Sequence, residues 1–195
     1  MTMNCMTNET QWIAFDGPKR IAQGAPREMA CQAKEYFESH PDACILFFDA
    51  ATSHQIHIDL RIDTEHLVRV VDYLNKPALA HASTGQKPFL VPQEVTLLPR
   101  HWEWLATQPG GESVALRKLV EQAMRASGPT DARRAAQEAV YRFMTAMAGD
   151  ERDYEEAIRA LYKGDRARIE SCIASWPEDI RAHVGTLLGP AFAAS

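Results

Sequence analysis

Two groups of side chains in this sequence have residue types and spacings that could support chemistry. In the first, His57, Asp59 and Arg61 occupy alternate positions, which point to one face of a β-strand. With Asp49 nearby, an imidazole and two carboxylates could bind a metal ion. Alternating polar residues are, however, more typical of the solvent-exposed face of an antiparallel sheet. We therefore predict an exposed sheet face here, with no metal site and no catalytic residues.

The familiar catalytic motifs are missing from the sequence. It has no GxSxG, P-loop, HExxH or dinucleotide-binding motif. The four cysteines lack the short spacing of a zinc site or a disulfide framework, and we expect free thiols. They are Cys5, Cys31, Cys44 and Cys172. His101 and His183 lie beside charged residues on predicted helices, where we expect solvent exposure. The sequence thus predicts a protein that is not an enzyme and uses no cofactor.

The second group is basic and lies in residues 93–125, the stretch with the densest structural signals. Residues 95–98 are strand-like, and Pro99 follows where the first turn of a helix tolerates proline. Gly110-Gly111 then breaks the chain. Ser113 can cap a second helix by accepting a hydrogen bond from a free backbone N–H. This pattern predicts a strand-helix-helix segment.

Both helices of this segment carry apolar stripes. The second stripe consists of Leu116, Leu119, Val120 and Ala123, and its spacing predicts a buried face. A strand as short as residues 95–98 is unstable alone, so pairing with its copy in a second chain would satisfy its backbone groups. We therefore predict a homodimer. Its expected interface residues are Val95, Leu97, Trp102, Leu116, Leu119 and Val120.

The segment resembles a ribbon-helix-helix unit, in which two chains pair their strands and lay the ribbon in the major groove of DNA. The resemblance implies that backbone amides of Ser113 to Ala115 hold a DNA phosphate. Polar and basic side chains on the outer side would contact DNA, although apolar neighbours of Thr96 leave few groups for reading base edges. The predicted DNA contacts are Thr96, Arg100, Ser113, Arg117 and Lys118. Alternatively, residues 95–98 add a strand to an N-terminal sheet, and the helices form core or a protein interface.

The remaining patterns predict an α+β fold. An apolar run, residues 44–48, and the alternating residues 54–61 form a hairpin whose first strand is central in a small sheet. Ser127–Thr130 predicts a helix break. The predicted parts are a ββαββα domain (11–75), a linker (76–92), the ribbon-helix-helix-like unit (93–127) and a tail of four short helices (131–190).

Composition limits the classes of function. The chain has 195 residues, 46% of them hydrophobic, and a net charge of −5. The negative charge argues against a protein that coats nucleic acid, although residues 76–142 are mildly basic. No apolar run approaches the roughly 20 residues of a membrane span, and the N-terminus lacks the pattern of a signal peptide. We expect a cytoplasmic protein that does not contact membranes.

Motifs along the whole chain resemble the bacterial DUF2239 family. They are FDG, LFFDAATSHQIHIDLR, EVTLLPRHWEWLATQPGG, AVYRFMTAMAGD and WPEDIRAHV. In that family the hairpin turn usually reads Asp-Ala-Thr-Gly, where this chain has Ala51-Thr52-Ser53. The resemblance implies an architecture and a bacterial or phage origin, and it supplies no catalytic residues.

Three functions remain open from the sequence. The first is a homodimeric DNA-binding protein, a transcriptional regulator of the ribbon-helix-helix kind. The second is a non-enzymatic accessory or antitoxin-like factor that docks on a partner protein through its tryptophans and helical tail. The third is an enzyme that uses His57 and Asp59.

Overall fold

The computed structural model describes residues 10–75 and 94–193, which have an α+β fold. They divide into two compact units. The larger unit combines residues 10–75 with residues 132–193, and the smaller unit consists of residues 94–131. The predicted linker, residues 76–92, and Cys5 lie outside the described residues.

The N-terminal part of the larger unit has the predicted ββαββα order. Its antiparallel sheet has the strand order β2-β1-β3-β4, so β3 is central as predicted. Pro26 opens the first helix, where its missing N–H is not needed. Asp63 caps the second by accepting a hydrogen bond from the His66 amide at 3.0 Å. The elements are β1 (Trp12–Asp16), β2 (Lys19–Gly24), α1 (Pro26–Ser39), β3 (Ile45–Asp49), β4 (Gln55–Ile56) and α2 (Thr64–Leu74).

The strand predicted over residues 54–61 is wrong beyond Ile56, because β4 has only two residues. After Ile56 the chain leaves β3 and is held by α1, where Lys34 Nζ donates hydrogen bonds to the carbonyls of Leu60 and Ile62 at 3.1 and 2.8 Å. Leu60 is buried in a cluster with residues of α1 and α2. The alternating pattern therefore reflects loop residues packed against helices.

The helices after residue 98 include one much longer than predicted. They are α3 (Pro99–Ala106), α4 (Glu112–Ala148), α5 (Tyr154–Lys163), α6 (Arg166–Cys172) and α7 (Glu178–Ala191), with a short 3-10 turn (Ile173–Ser175) after α6. The break predicted at Ser127–Thr130 is wrong, since α4 runs through Pro129. Helix-favouring residues at 121–126 and 132–136 lie on either side of the break signals and outweigh the hydrogen bond that Pro129 cannot donate.

The larger unit buries both faces of its sheet. Ile13, Phe15 and Phe48 pack against residues 139–148 of α4 and against α5, α6 and α7. The alternate residues Trp12 and Ala14, with Phe47, pack against α1 and α2. This follows from the two-residue period of a strand, which directs neighbouring side chains to opposite faces. The tail helices therefore cover one face of the N-terminal sheet.

Candidate self-association surface

The smaller unit is built on a glycine turn between α3 and α4. Gly110 and Gly111 have φ angles of 93° and 81°, a backbone region that favours glycine. A Cβ atom on Gly110 would lie 3.1 Å from Val114 Cγ1. The turn therefore requires glycine at this position, because a side chain would be both strained and crowded.

The start of α4 differs from the prediction. The helix begins at Glu112, so Ser113 lies inside its first turn and is not its cap. The Ala115 amide donates to the Gly111 carbonyl at 3.0 Å and is not free to bind a phosphate. Of the three predicted phosphate-binding amides, those of Ser113 and Val114 remain in the unpaired first turn of the helix.

Residues 94–98 form no strand in the described chain. Leu98 has an extended backbone with φ −69° and ψ 151°, yet none of these residues joins the four-stranded sheet. The strand predicted at 95–98 is therefore absent from the single chain, and so is its alternative place in the N-terminal sheet. Pairing with a second chain stays a prediction.

The smaller unit exposes an unusual amount of apolar side chain. Leu105 and Ala115 are buried, but seven large apolar residues keep between 38% and 67% of their surface exposed. They are Val95, Leu98, Trp102, Trp104, Leu119, Val120 and Met124. The prediction of a buried second stripe is wrong in the single chain for Leu119, Val120 and Ala123, which are all exposed. Of the other predicted interface residues, Leu97 and Leu116 are half-buried.

The predicted DNA contacts all lie at the surface of the smaller unit. Thr96, Arg100, Ser113, Arg117 and Lys118 are exposed. Arg117 Nε donates a hydrogen bond to the Ser113 carbonyl at 3.1 Å, which holds this guanidinium along the first turns of α4. Residues 94–131 contain four basic and five acidic side chains, and Glu112 occupies the first turn of α4. An acidic side chain there opposes phosphate binding by electrostatic repulsion.

The first predicted group, His57, Asp59 and Arg61, does not share a strand face. All three follow β4, and Asp59 Oδ1 accepts a hydrogen bond from the Arg61 amide at 2.9 Å in a local turn. Within residues 10–75 and 94–193 no group of three or more His, Cys, Asp or Glu side chains is arranged to hold a metal ion.

Sequence reasoning missed the environment of His183. Its predicted exposure is wrong, because only 3% of its surface is exposed; His101, by contrast, is exposed as predicted. The imidazole lies 4.5 Å from the Phe143 ring and 6.2 Å from the Phe15 ring, between centroids. Burial, with a smaller contribution from Arg20, lowers the pKa of His183 to about 4. Its position one turn beyond Ile180, on the apolar side of α7, was the available signal.

The hairpin turn between β3 and β4 contains a second unexpected feature. Asp49 Oδ1 accepts hydrogen bonds from the amides of Ala51 and Thr52 at 3.1 and 2.8 Å. Ser53 then adopts a left-handed conformation with φ 55° and is buried. Its hydroxyl has no hydrogen-bond partner among the described residues. Arg142 of α4 holds the turn by donating to the Thr52 carbonyl.

The model of one protein family matches residues 11–188, and the chain therefore belongs to that family, uncharacterized proteins conserved in bacteria (DUF2239). Comparison with curated proteins and with solved structures gave no match. No helix within the described ranges is long and apolar enough to cross a membrane.

Proposed function

We propose that this protein acts as a cytoplasmic homodimer that self-associates through residues 94–125 and carries out no catalysis itself. The observation that supports this is the exposure of seven large apolar side chains in the smaller unit. Monomeric proteins rarely leave so many large apolar residues exposed within so short a stretch, and such patches typically mark interaction surfaces. Trp102 and Trp104 belong to the residue type that contributes most to interface energies.

A second copy is the partner that fits the backbone of this surface. Residues 94–98 form no strand within the described chain, Leu98 has an extended backbone, and the side chains of Val95 and Leu98 are exposed. Two such segments related by a two-fold axis can pair antiparallel and satisfy each other's N–H and C=O groups. We place Leu119 and Val120 of both copies in the same interface, because they are large apolar side chains left exposed in the single chain.

Molar mass in solution tests this proposal. We expect a dimer for the wild-type protein and a monomer for the double variant Leu119→Glu, Val120→Glu, because two carboxylates would have to be buried in the interface. Gln122→Glu is the matched control, since it adds a charge to the same helix at an exposed residue outside the predicted interface. A monomeric wild-type protein, or a double variant that remains dimeric, contradicts the proposal.

Duplex DNA binding by this dimer is a second candidate function. Its support is the exposure of Arg100, Arg117 and Lys118 beside the free amides at the start of α4. The near balance of charge in residues 94–131 implies weak, salt-sensitive binding. We expect affinity for random duplex DNA at low salt that falls on Arg117→Ala plus Lys118→Ala.

The salt dependence of that affinity gives a sharper result. Each lost phosphate contact should reduce the slope of log affinity against log salt by about 0.9. The control is Arg152→Ala, an exposed arginine in the larger unit. Equal slopes for the control and the double variant, or no binding at low salt, rule out this role and leave self-association alone.

A further inference from the structure

Strand β3 is only partly paired on the side of β4. On its other side it pairs with β1 over all five residues, from Asp16 and Ile45 to Trp12 and Asp49. Its pairing with β4 is limited to Phe47 and Phe48. The chain diverges after Ile56, so Ile45 and Leu46 have no strand partner on that side among the described residues.

The backbone of Ile45 points into the space left by this divergence. The Asp49 amide donates to the His54 carbonyl at 2.9 Å, across the β4 side of β3. Backbone groups alternate between the two sides of an antiparallel strand, so Phe47 and Ile45 direct theirs to the same side as Asp49. No hydrogen bond joins Ile45 to residues 57–59 in the described chain. Among the described residues, the Ile45 N–H and C=O therefore have no backbone partner on this side.

A groove of about 500 Å³ occupies this place. Its lining residues are Ile45, Leu46, Phe47, Gln55, Ile56, His57, Ile58 and Asp59. Five of the eight lining residues are apolar, and Ile45, Ile56 and Ile58 are half-buried. Asp59 contributes a carboxylate at the rim, whereas the lining contains no lysine or arginine. Open backbone groups beside apolar walls favour another extended backbone as ligand, and the carboxylate favours a basic one.

We propose that this groove binds an extended peptide segment of a partner protein, which adds as a strand to β3 at Ile45. The segment is apolar at alternate positions, so that one set of side chains enters the groove, and it carries a lysine or arginine that pairs with Asp59. The partner's backbone supplies the acceptor and donor that Ile45 does not find among the described residues. This site is in the larger unit and does not depend on self-association through the smaller one.

Cys44 provides a way to test the groove, because it is exposed and directly precedes Ile45. A full-length variant with Cys5→Ser, Cys31→Ala and Cys172→Ala leaves Cys44 as the single thiol. We would measure reversible thiol–disulfide exchange, in which the Cys44 thiolate attacks the mixed disulfide of mercaptoethanol with the blocked peptide Cys-Gly-Val-Lys-Val-Thr-Val, forms the protein–peptide disulfide and releases mercaptoethanol, with added mercaptoethanol as competitor. Two further versions carry N-methyl groups on alternate residues, one at the odd and one at the even positions of the Val-Lys-Val-Thr-Val part. A fourth has glutamate in place of lysine.

Strand addition requires that only one of the two N-methylated peptides loses capture, because a bound strand directs alternate amides toward β3. We expect a loss of about fivefold for each hydrogen bond removed, weaker capture of the glutamate peptide, and slower exchange of the Ile45 amide proton with the unmethylated peptide. Equal capture of both methylated peptides, or an unchanged Ile45 exchange rate, overturns the proposal.

Discussion

His183 places a titratable group among the aromatic rings of Phe15 and Phe143. Its pKa in the folded protein is about 4, against roughly 6.5 for an unfolded chain. Between pH 6.5 and about 4, the unfolded state therefore binds a proton at His183 that the folded state does not bind. The contribution of neutral His183 to the free energy of unfolding is fully present above pH 6.5. We expect the free energy of unfolding to fall, by on the order of 3 kcal/mol, as the pH drops to about 4.

The measurement is the free energy of unfolding in urea at several pH values between 7.5 and 4. His183→Gln is the matched variant, since it keeps a polar side chain of similar size that does not titrate. The variant should lose most of the pH dependence in this window. The same decline in both proteins would show that other groups cause it.

Ser53 gives a prediction about backbone strain. A left-handed residue other than glycine costs about 1–2 kcal/mol, and the buried Ser53 hydroxyl lacks a hydrogen-bond partner among the described residues. The family's usual turn has glycine at this position, as the resemblance implies. We expect Ser53→Gly to be more stable than Ser53→Ala by about 1 kcal/mol, because alanine keeps the strain. Denaturant midpoints compare the two variants; a less stable glycine variant contradicts the argument.

At the scale of elements, periodicity and end signals in the sequence were sufficient for most helices. Pro99 marks the start of α3 as predicted, because proline in a first turn acts through local backbone geometry. The predictions of strands at residues 54–61 and 95–98 were wrong for a different reason. A strand depends on a partner elsewhere in the chain or in another chain, and a local pattern does not report that partner.

Pro129 shows that a local sequence signal can also mislead within a helix. Proline costs about 3 kcal/mol in a helix interior, yet α4 continues through it. Replacing it should therefore strengthen the helix. We expect Pro129→Ala to raise the thermal unfolding midpoint and the helical circular dichroism. Pro99→Ala is the control, because Pro99 occupies the first turn of α3 and makes no interior break. Equal effects of both substitutions contradict this account.

At the scale of the whole molecule, the family and the α+β class follow from the sequence. The candidate surface was only partly predictable. Four of the predicted interface residues are exposed in the single chain: Val95, Trp102, Leu119 and Val120. The apolar pattern of a helix predicts that something covers these side chains, but it does not identify the partner. The groove beside Ile45 was not predicted, since it arises from the point at which the chain leaves β3.

The sheet is covered on its two faces by opposite ends of the chain. Residues of α1 and α2 cover one face, and residues 139–191 cover the other. During synthesis from the N-terminus, the side of the sheet that carries Ile13, Phe15 and Phe48 therefore stays uncovered until residues 139–191 have left the ribosome. Such delayed, non-local contacts slow folding and leave the nascent chain prone to aggregation.

A chain that ends at residue 130 should thus be insoluble or bind a chaperone, although it contains all four strands of the sheet. Supplying residues 131–195 as a separate peptide during refolding should recover soluble protein. If fragment 1–130 is soluble and unfolds cooperatively, the N-terminal sheet folds without residues 131–195, and its folding need not wait for their synthesis.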